Sequence, residues 1–227
     1  MLAGRGFYSI PEASRLTDLP IPTVRRYSIG YDYDGAHGRK HSQASFQADM
    51  VSERSGSTRR TLSFLDLIEL RMVRLFREQG VPGAEIREAE KAAASRLDVD
   101  HPFATGRLRL LGKKILMEVG QARNLERLVE VARSQELFTK VIEPFTREVK
   151  YEGETPVLWT HPRGCGLVLL DPNRSFGHPI VAVSGVPTYI LAEAASSWGP
   201  IESVARWYEV KAEEVRAALK FEGRDAA

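Results

Sequence analysis

Two consecutive arginines, Arg25 and Arg26, stand in the segment IPTVRRY with Thr23 and Tyr27 beside them. A guanidinium is a planar fork of donors that fits phosphate oxygens and the acceptor edge of guanine, and neighbouring hydroxyls can add single hydrogen bonds to phosphate. More cations follow at Arg39 and Lys40, then at Arg59 and Arg60. Gathered on one surface, these residues would suit the backbone and groove of double-stranded DNA. Other chemistry is poorly served. The chain has no Gly-rich phosphate loop, no H-E-x-x-H, no G-x-S-x-G and no convincing carboxylate pair, so no catalytic residue is assigned and an enzyme is not expected. Asp32, Asp34, His37 and His41 are suitable ligand types, yet their spacing fits no familiar metal site, and no cofactor is expected.

The elements needed to position Arg25 and Arg26 are legible around them. Residues 8–27 read as two short helices and a tight turn. The first covers about 10–16, with Ser9 as N-cap and Glu12 at the positive end of the helix dipole. Pro22 suits the first turn of the second helix. Thr23, Arg25 and Arg26 are expected outward, Val24 and Tyr27 inward. Such a helix-turn-helix frees its second helix for the major groove. Residues 28–60 lack apolar periodicity and are rich in Gly, Ser and Asp, which predicts a long loop or β-hairpin. As a wing it would carry Arg39, Lys40, Arg59 and Arg60 to flanking phosphates.

Next, Leu62, Leu65, Ile68, Met72, Leu75 and Phe76 recur at helical spacing, with Ser63 as N-cap, Asp66 as the capping-box acid and Gly80 as the stop. A second helix is expected over 82–97. The alternation around Gly112 then predicts a hairpin, and residues 107–170 read as a small β-rich connector in which Val149, Tyr151 and Trp159 pack. His101 and His161 each precede proline and read as structural histidines. The rest folds as three helices, over about 188–198, 201–208 and 212 onward. Val204, Ala205, Tyr208, Val210, Val215 and Ala218 fit helix-turn-helix spacing, with Glu209 where a turn glycine is usual. That spacing serves DNA-binding and protein-binding modules alike.

Composition sets bounds. The 227 residues are 43% apolar and 27% charged, with a net charge of +2, so any surface for nucleic acid must be local. No apolar run approaches the roughly 20 residues that span a bilayer. The opening MLAGRGFYSI is too short and too weakly apolar for a secretory signal, and a cytoplasmic location is expected. Cys165 is the single cysteine, which excludes an intramolecular disulfide; no basic cluster near it in sequence argues for a reactive thiol.

Two resemblances follow. Glu12, Leu16, Thr17, Leu19, Thr23, Val24, Arg25 and Tyr27, with Arg77, Gly80, Val81, Glu85 and Ile86, resemble the DNA-binding domain of the MerR family; Ser14, Asp18 and the longer wing depart from its pattern. Asp171, Pro172, Gly177, Pro179, Gly185, Pro187, Gly199, Ile201, Val204, Ala205, Tyr208, Val215 and Ala218 resemble the C-terminal module of VapB-like antitoxins. Together they imply an α+β, mainly α chain: a MerR-like winged helix-turn-helix domain (1–106), the connector (107–170) and a trihelical module (171–227). The resemblance implies an antitoxin that silences a PIN-type or PIN-like ribonuclease and represses its own promoter, as a homodimer on an inverted repeat. Within that reading, a basic residue near the C terminus, among Arg206, Arg216, Lys220 and Arg224, is expected to contribute to silencing the nuclease. The alternative reading is a stand-alone MerR-like regulator that responds to a small organic effector.

Overall fold

The computed structural model describes residues 6–224 apart from 36–37, 43, 45–48, 53–57 and 134, with backbone alone at several positions that include Lys40, Arg59 and Arg60. The described residues divide into two compact units, one of Phe7–Arg147 with Glu152–Pro156, the other of Glu148–Tyr151 with the residues from Val157 onward.

In the first unit, α1 (Ile10–Thr17) starts where the Ser9 hydroxyl accepts the Glu12 N–H at 3.3 Å, and ends at Asp18, whose φ of 54° is left-handed. Asp tolerates that conformation better than most residues, which is how the turn does without glycine. The Ser14 hydroxyl donates to the Leu19 carbonyl at 2.6 Å and closes the turn into α2 (Ile21–Ser28). Ala13, Leu16, Leu19, Val24 and Tyr27 are buried where the two helices meet. Two antiparallel hairpins follow, β1 (Tyr31–Gly35) with β2 (Gly38–Ser42), and β3 (Asp49–Ser52) with β4 (Thr58–Thr61). Paired backbone bonds of 2.8 and 2.9 Å between Tyr8 and Leu62 then close this segment on itself.

Helix α3 (Phe64–Glu78) has the expected capping box: the Asp66 carboxylate accepts the Ser63 N–H at 2.7 Å, and the Ser63 hydroxyl accepts the Asp66 N–H at 3.2 Å. Helix α4 (Gly83–Leu97) packs its Ile86, Ala89 and Ala93 inward. The stretch expected as a hairpin around Gly112 is instead one helix, α5 (Gly106–Ala122). Leu108, Ile115, Leu116 and Val119 are buried at helical spacing, and that period prevails over the local alternation. An interior glycine such as Gly112 costs a helix only about 1 kcal/mol, which packing outweighs. A Cβ on Gly120 would lie 2.6 Å from the Val129 side chain, so glycine is what lets α5 approach α6 (Glu126–Arg133). Helix α7 (Gln135–Glu148) holds Pro144 in its interior. Strands in the expected connector are therefore confined to its second half.

The second unit has a four-stranded sheet in the order β5 (Val149–Glu152), β6 (Thr155–Thr160), β7 (Val168–Leu170), β8 (Ile180–Val181). Trp159 is fully buried, as expected. His161 is buried too, its ring against Trp159 and Phe221 while Nδ1 accepts the Arg163 N–H. Helices α8 (Thr188–Trp198), α9 (Ile201–Trp207) and α10 (Ala212–Glu222) enclose a core of Leu191, Ala192, Ala195, Val204, Ala205, Val215, Ala218 and Leu219. Glu209 adopts φ 54° after α9, with the Val210 N–H bonded back to the Ala205 carbonyl at 2.9 Å. This is a left-handed helix end with a glutamate in the glycine position. Because a side chain there costs about 1–2 kcal/mol, E209G should stabilise the chain by about 1 kcal/mol in denaturant titrations.

One buried group makes stability depend on pH. The Glu69 carboxyl on α3 accepts the backbone N–H groups of Phe103 and Ala104 at 2.7 and 3.0 Å. Burial, and then the nearby Glu90, push its pKa well above the usual carboxylate range. The folded chain thus holds a proton there that the unfolded chain releases above its ordinary pKa. Stability from this group is full below that value and is lost as pH rises toward the raised one. E69Q keeps an acceptor and removes the titration. Denaturant unfolding should show E69Q gaining on the parent chain as pH rises above the ordinary glutamate range; a constant difference would contradict a raised Glu69 pKa.

Candidate nucleic-acid interface

Helix α2 buries one stripe and exposes another. Thr23, Val24, Tyr27 and Ser28 face the core, while Arg25 and Arg26 are exposed. Thr23 was expected outward, but it is 6% exposed, because positions 23, 24, 27 and 28 fall together on a helix of 3.6 residues per turn. Tyr27 is 1% exposed, and burial followed by the Glu90 carboxylate holds its hydroxyl above the ordinary tyrosine range. Both residues act as packing that orients the two arginines. Among the described residues, no carboxylate lies within the 4.0 Å ion-pair distance of Arg25 or Arg26. Their charge is not offset by an ion pair among the described residues.

The hairpins carry the rest of the expected basic set. Arg39, on β2 beside Lys40, is the register partner of Asp34 on β1, and its guanidinium lies 3.2 Å from the Asp32 carboxylate. The same carboxylate meets His41 Nδ1 at 2.7 Å. Hydrogen bonding from His41 is the first cause that keeps Asp32 below the usual carboxylate range, with Arg39 contributing. Lys40 is paired with Tyr33, Arg59 with Val51 and Arg60 with Met50; their side chains lie outside what the structure describes. His37 also lies outside it. Among the described residues no three His, Cys, Asp or Glu side chains gather as a metal site.

Two residues that spacing did not single out join this surface. The Arg26 guanidinium carbon lies 5.3 Å from the centroid of the Tyr31 ring, and that of Arg87, on α4, lies 5.0 Å from it. Arg87 also donates to the Tyr31 hydroxyl at 2.8 Å. They are 56 positions apart, so no local pattern could have joined them.

In the second unit, Arg216 pairs with Glu202 at 3.1 Å and Arg224 with Glu193 at 3.9 Å. Arg206 is exposed. Lys220 Nζ lies 3.3 Å from Cys165 Sγ, a basic neighbour supplied by tertiary structure and invisible in the run PRGCGL. The four residues thus lie on α9, α10 and the end of α10, three of them already engaged within the unit.

No family model matches the chain. It is similar to the "Putative antitoxin VapB45" of Mycobacterium tuberculosis, with 23% identity over 222 residues that cover 93% of this chain and 92% of that protein. Its fold is similar to that of RV2018 from Mycobacterium tuberculosis, a crystal structure at 21% identity with a TM-score of 0.75, over 97% of this chain and all of the other. The likeness therefore runs through both units rather than through one shared module. No helix among the described residues is long and apolar enough to cross a membrane.

Proposed function

We propose that the chain is the antitoxin of a toxin–antitoxin system, with promoter-DNA binding in its first unit and toxin neutralisation as its second activity. The observation that carries the antitoxin reading is the similarity to an antitoxin over nearly the full length of both proteins. DNA binding rests on α2, where Arg25 and Arg26 stand exposed with no carboxylate partner among the described residues. The MerR-like motif residues in α1, α2 and the start of α4 support a winged helix-turn-helix reading of that unit. A dimer placing two copies of α2 one helical turn apart would read an inverted repeat.

The partner would be a PIN-type or PIN-like ribonuclease, whose metal-binding carboxylates an antitoxin can occlude or meet with a guanidinium. Arg206 is the candidate left unpaired among the described residues; Arg216 and Arg224 would have to exchange a surface ion pair, which is a small cost. Co-expression with the neighbouring gene should yield a stoichiometric complex whose ribonuclease activity is silent and returns on separation. Recovery of this chain alone as a clean dimer would overturn the antitoxin reading.

The DNA-binding half has its own readout. On a duplex from the region upstream of its own gene, R25A/R26A should lower the slope of log affinity against log salt by about 1.8, since each phosphate contact contributes about 0.9. R39A should lower it less, because Asp32 already offsets part of that charge. An unchanged slope in the double variant would remove α2 from the interface.

A further inference from the structure

Tyr31 opens β1 just beyond the end of α2, and α2, the first hairpin and α4 meet at its ring. Stacking engages the flat face of a guanidinium and leaves its N–H edge available to a second partner. The Arg26 guanidinium carbon lies 5.3 Å from the ring centroid with no hydrogen bond to a described residue, and Arg87 spends one donor on the Tyr31 hydroxyl. Two positive groups beside one ring repel each other. Among the described residues, neither has a carboxylate within ion-pair distance. Glu90, which acts on the Tyr27 hydroxyl in the opposite sense to Arg87, is itself buried. Two converging, uncompensated guanidiniums at the mouth of α2 are arranged for an anion from outside the chain.

We propose that Arg26 and Arg87, seated on Tyr31, form a subsite for a phosphate of duplex DNA, and that Arg87 is a DNA-contacting residue supplied by α4. This rests on the reading of the first unit as DNA-binding. Arg87 would bring to the interface a helix whose apolar face is core scaffold, and Tyr31 would keep both guanidiniums in register with Arg25. The competing role for Arg87 is to anchor the first hairpin through its bond to the Tyr31 hydroxyl, with no contact to DNA.

The two roles separate in salt titrations of the full chain by fluorescence anisotropy, on a mixed-sequence duplex of about 30 base pairs between about 50 and 200 mM salt. R87A should lower the salt slope by about 0.9, whereas Y31F, which keeps the ring and loses only the hydroxyl bond, should leave the slope within about 0.3 of the parent. R147A, an exposed cation on α7, serves as the control. If R87A fails to fold by thermal melting, R87Q carries the same expectation. A parental slope for the Arg87 variant, or a Y31F slope that falls as far, would overturn the subsite and leave DNA binding standing. Absence of any DNA binding by the parent chain would overturn both readings.

Discussion

The first unit depends on a carboxyl group taken out of water. Glu69 sits at full burial in α3, and its desolvation would be prohibitive for an unpaired carboxylate. Burial raises its pKa and so favours the neutral acid, and the N–H groups of Phe103 and Ala104 satisfy the oxygen that faces them. Three residues earlier, Asp66 caps α3 and also meets His101 Nε2 at 2.8 Å. Two acidic side chains on one helix thus hold the 101–105 segment in place. Thr105 then caps α5, and Phe103 lies with its ring 5.5 Å from that of Phe76. The start of α5 is therefore set by polar contacts to α3, while its length is set by apolar packing.

The same economy explains where charge remains. Surface arginines in this chain mostly meet carboxylates: Arg74 with Glu78, Arg107 with Glu154, Arg216 with Glu202. Such pairs contribute little stability, yet each cancels local field. With a net charge of only +2, a nucleic-acid surface can arise only where cancellation is left out. Helix α2 and the neighbouring Arg87 are such a place. The second unit differs: Glu193, Glu202, Glu209 and Glu213 intersperse its basic residues, and several of those pairs cancel local charge.

What could be read from sequence follows from the range of each interaction. Ser9, Ser63 and Asp66 act within one helical turn, so the ends of α1 and α3 were plain, as were the three C-terminal helices with Gly199 and Pro200 between two of them. Glu209 in the turn position was also legible, although only the backbone shows that it takes the left-handed conformation glycine would. The hairpin expected around Gly112 failed because alternation over a few residues competes with a helical stripe that becomes visible only over Leu108 to Val119. Thr23 failed for a different reason. A polar residue beside two arginines invites an outward placement, but the buried stripe of α2 needed a small residue next to Val24. Nothing local could pair Tyr31 with Arg87 or Cys165 with Lys220, since those contacts exist only once helices from distant segments have packed.

The exposed apolar residues carry the argument about the second unit further. Phe176 is 76% exposed and Trp207 75% exposed, on a unit that buries the large side chains of Trp159 and Phe221. Phe176 also holds a φ of 55°, between Ser175 at 48° and Gly177 at 84°. A bulky residue in that conformation carries a conformational cost, and residues of this kind persist where the surrounding fold determines them. Large aromatic side chains are the commonest anchors in protein–protein contacts, whereas phosphate backbones select cations. Among the described residues the second unit thus exposes Phe176 and Trp207 together with Arg206, which has no carboxylate within ion-pair distance either. Exposed aromatics beside a cation are the kind of surface that the protein partner proposed for this unit would use.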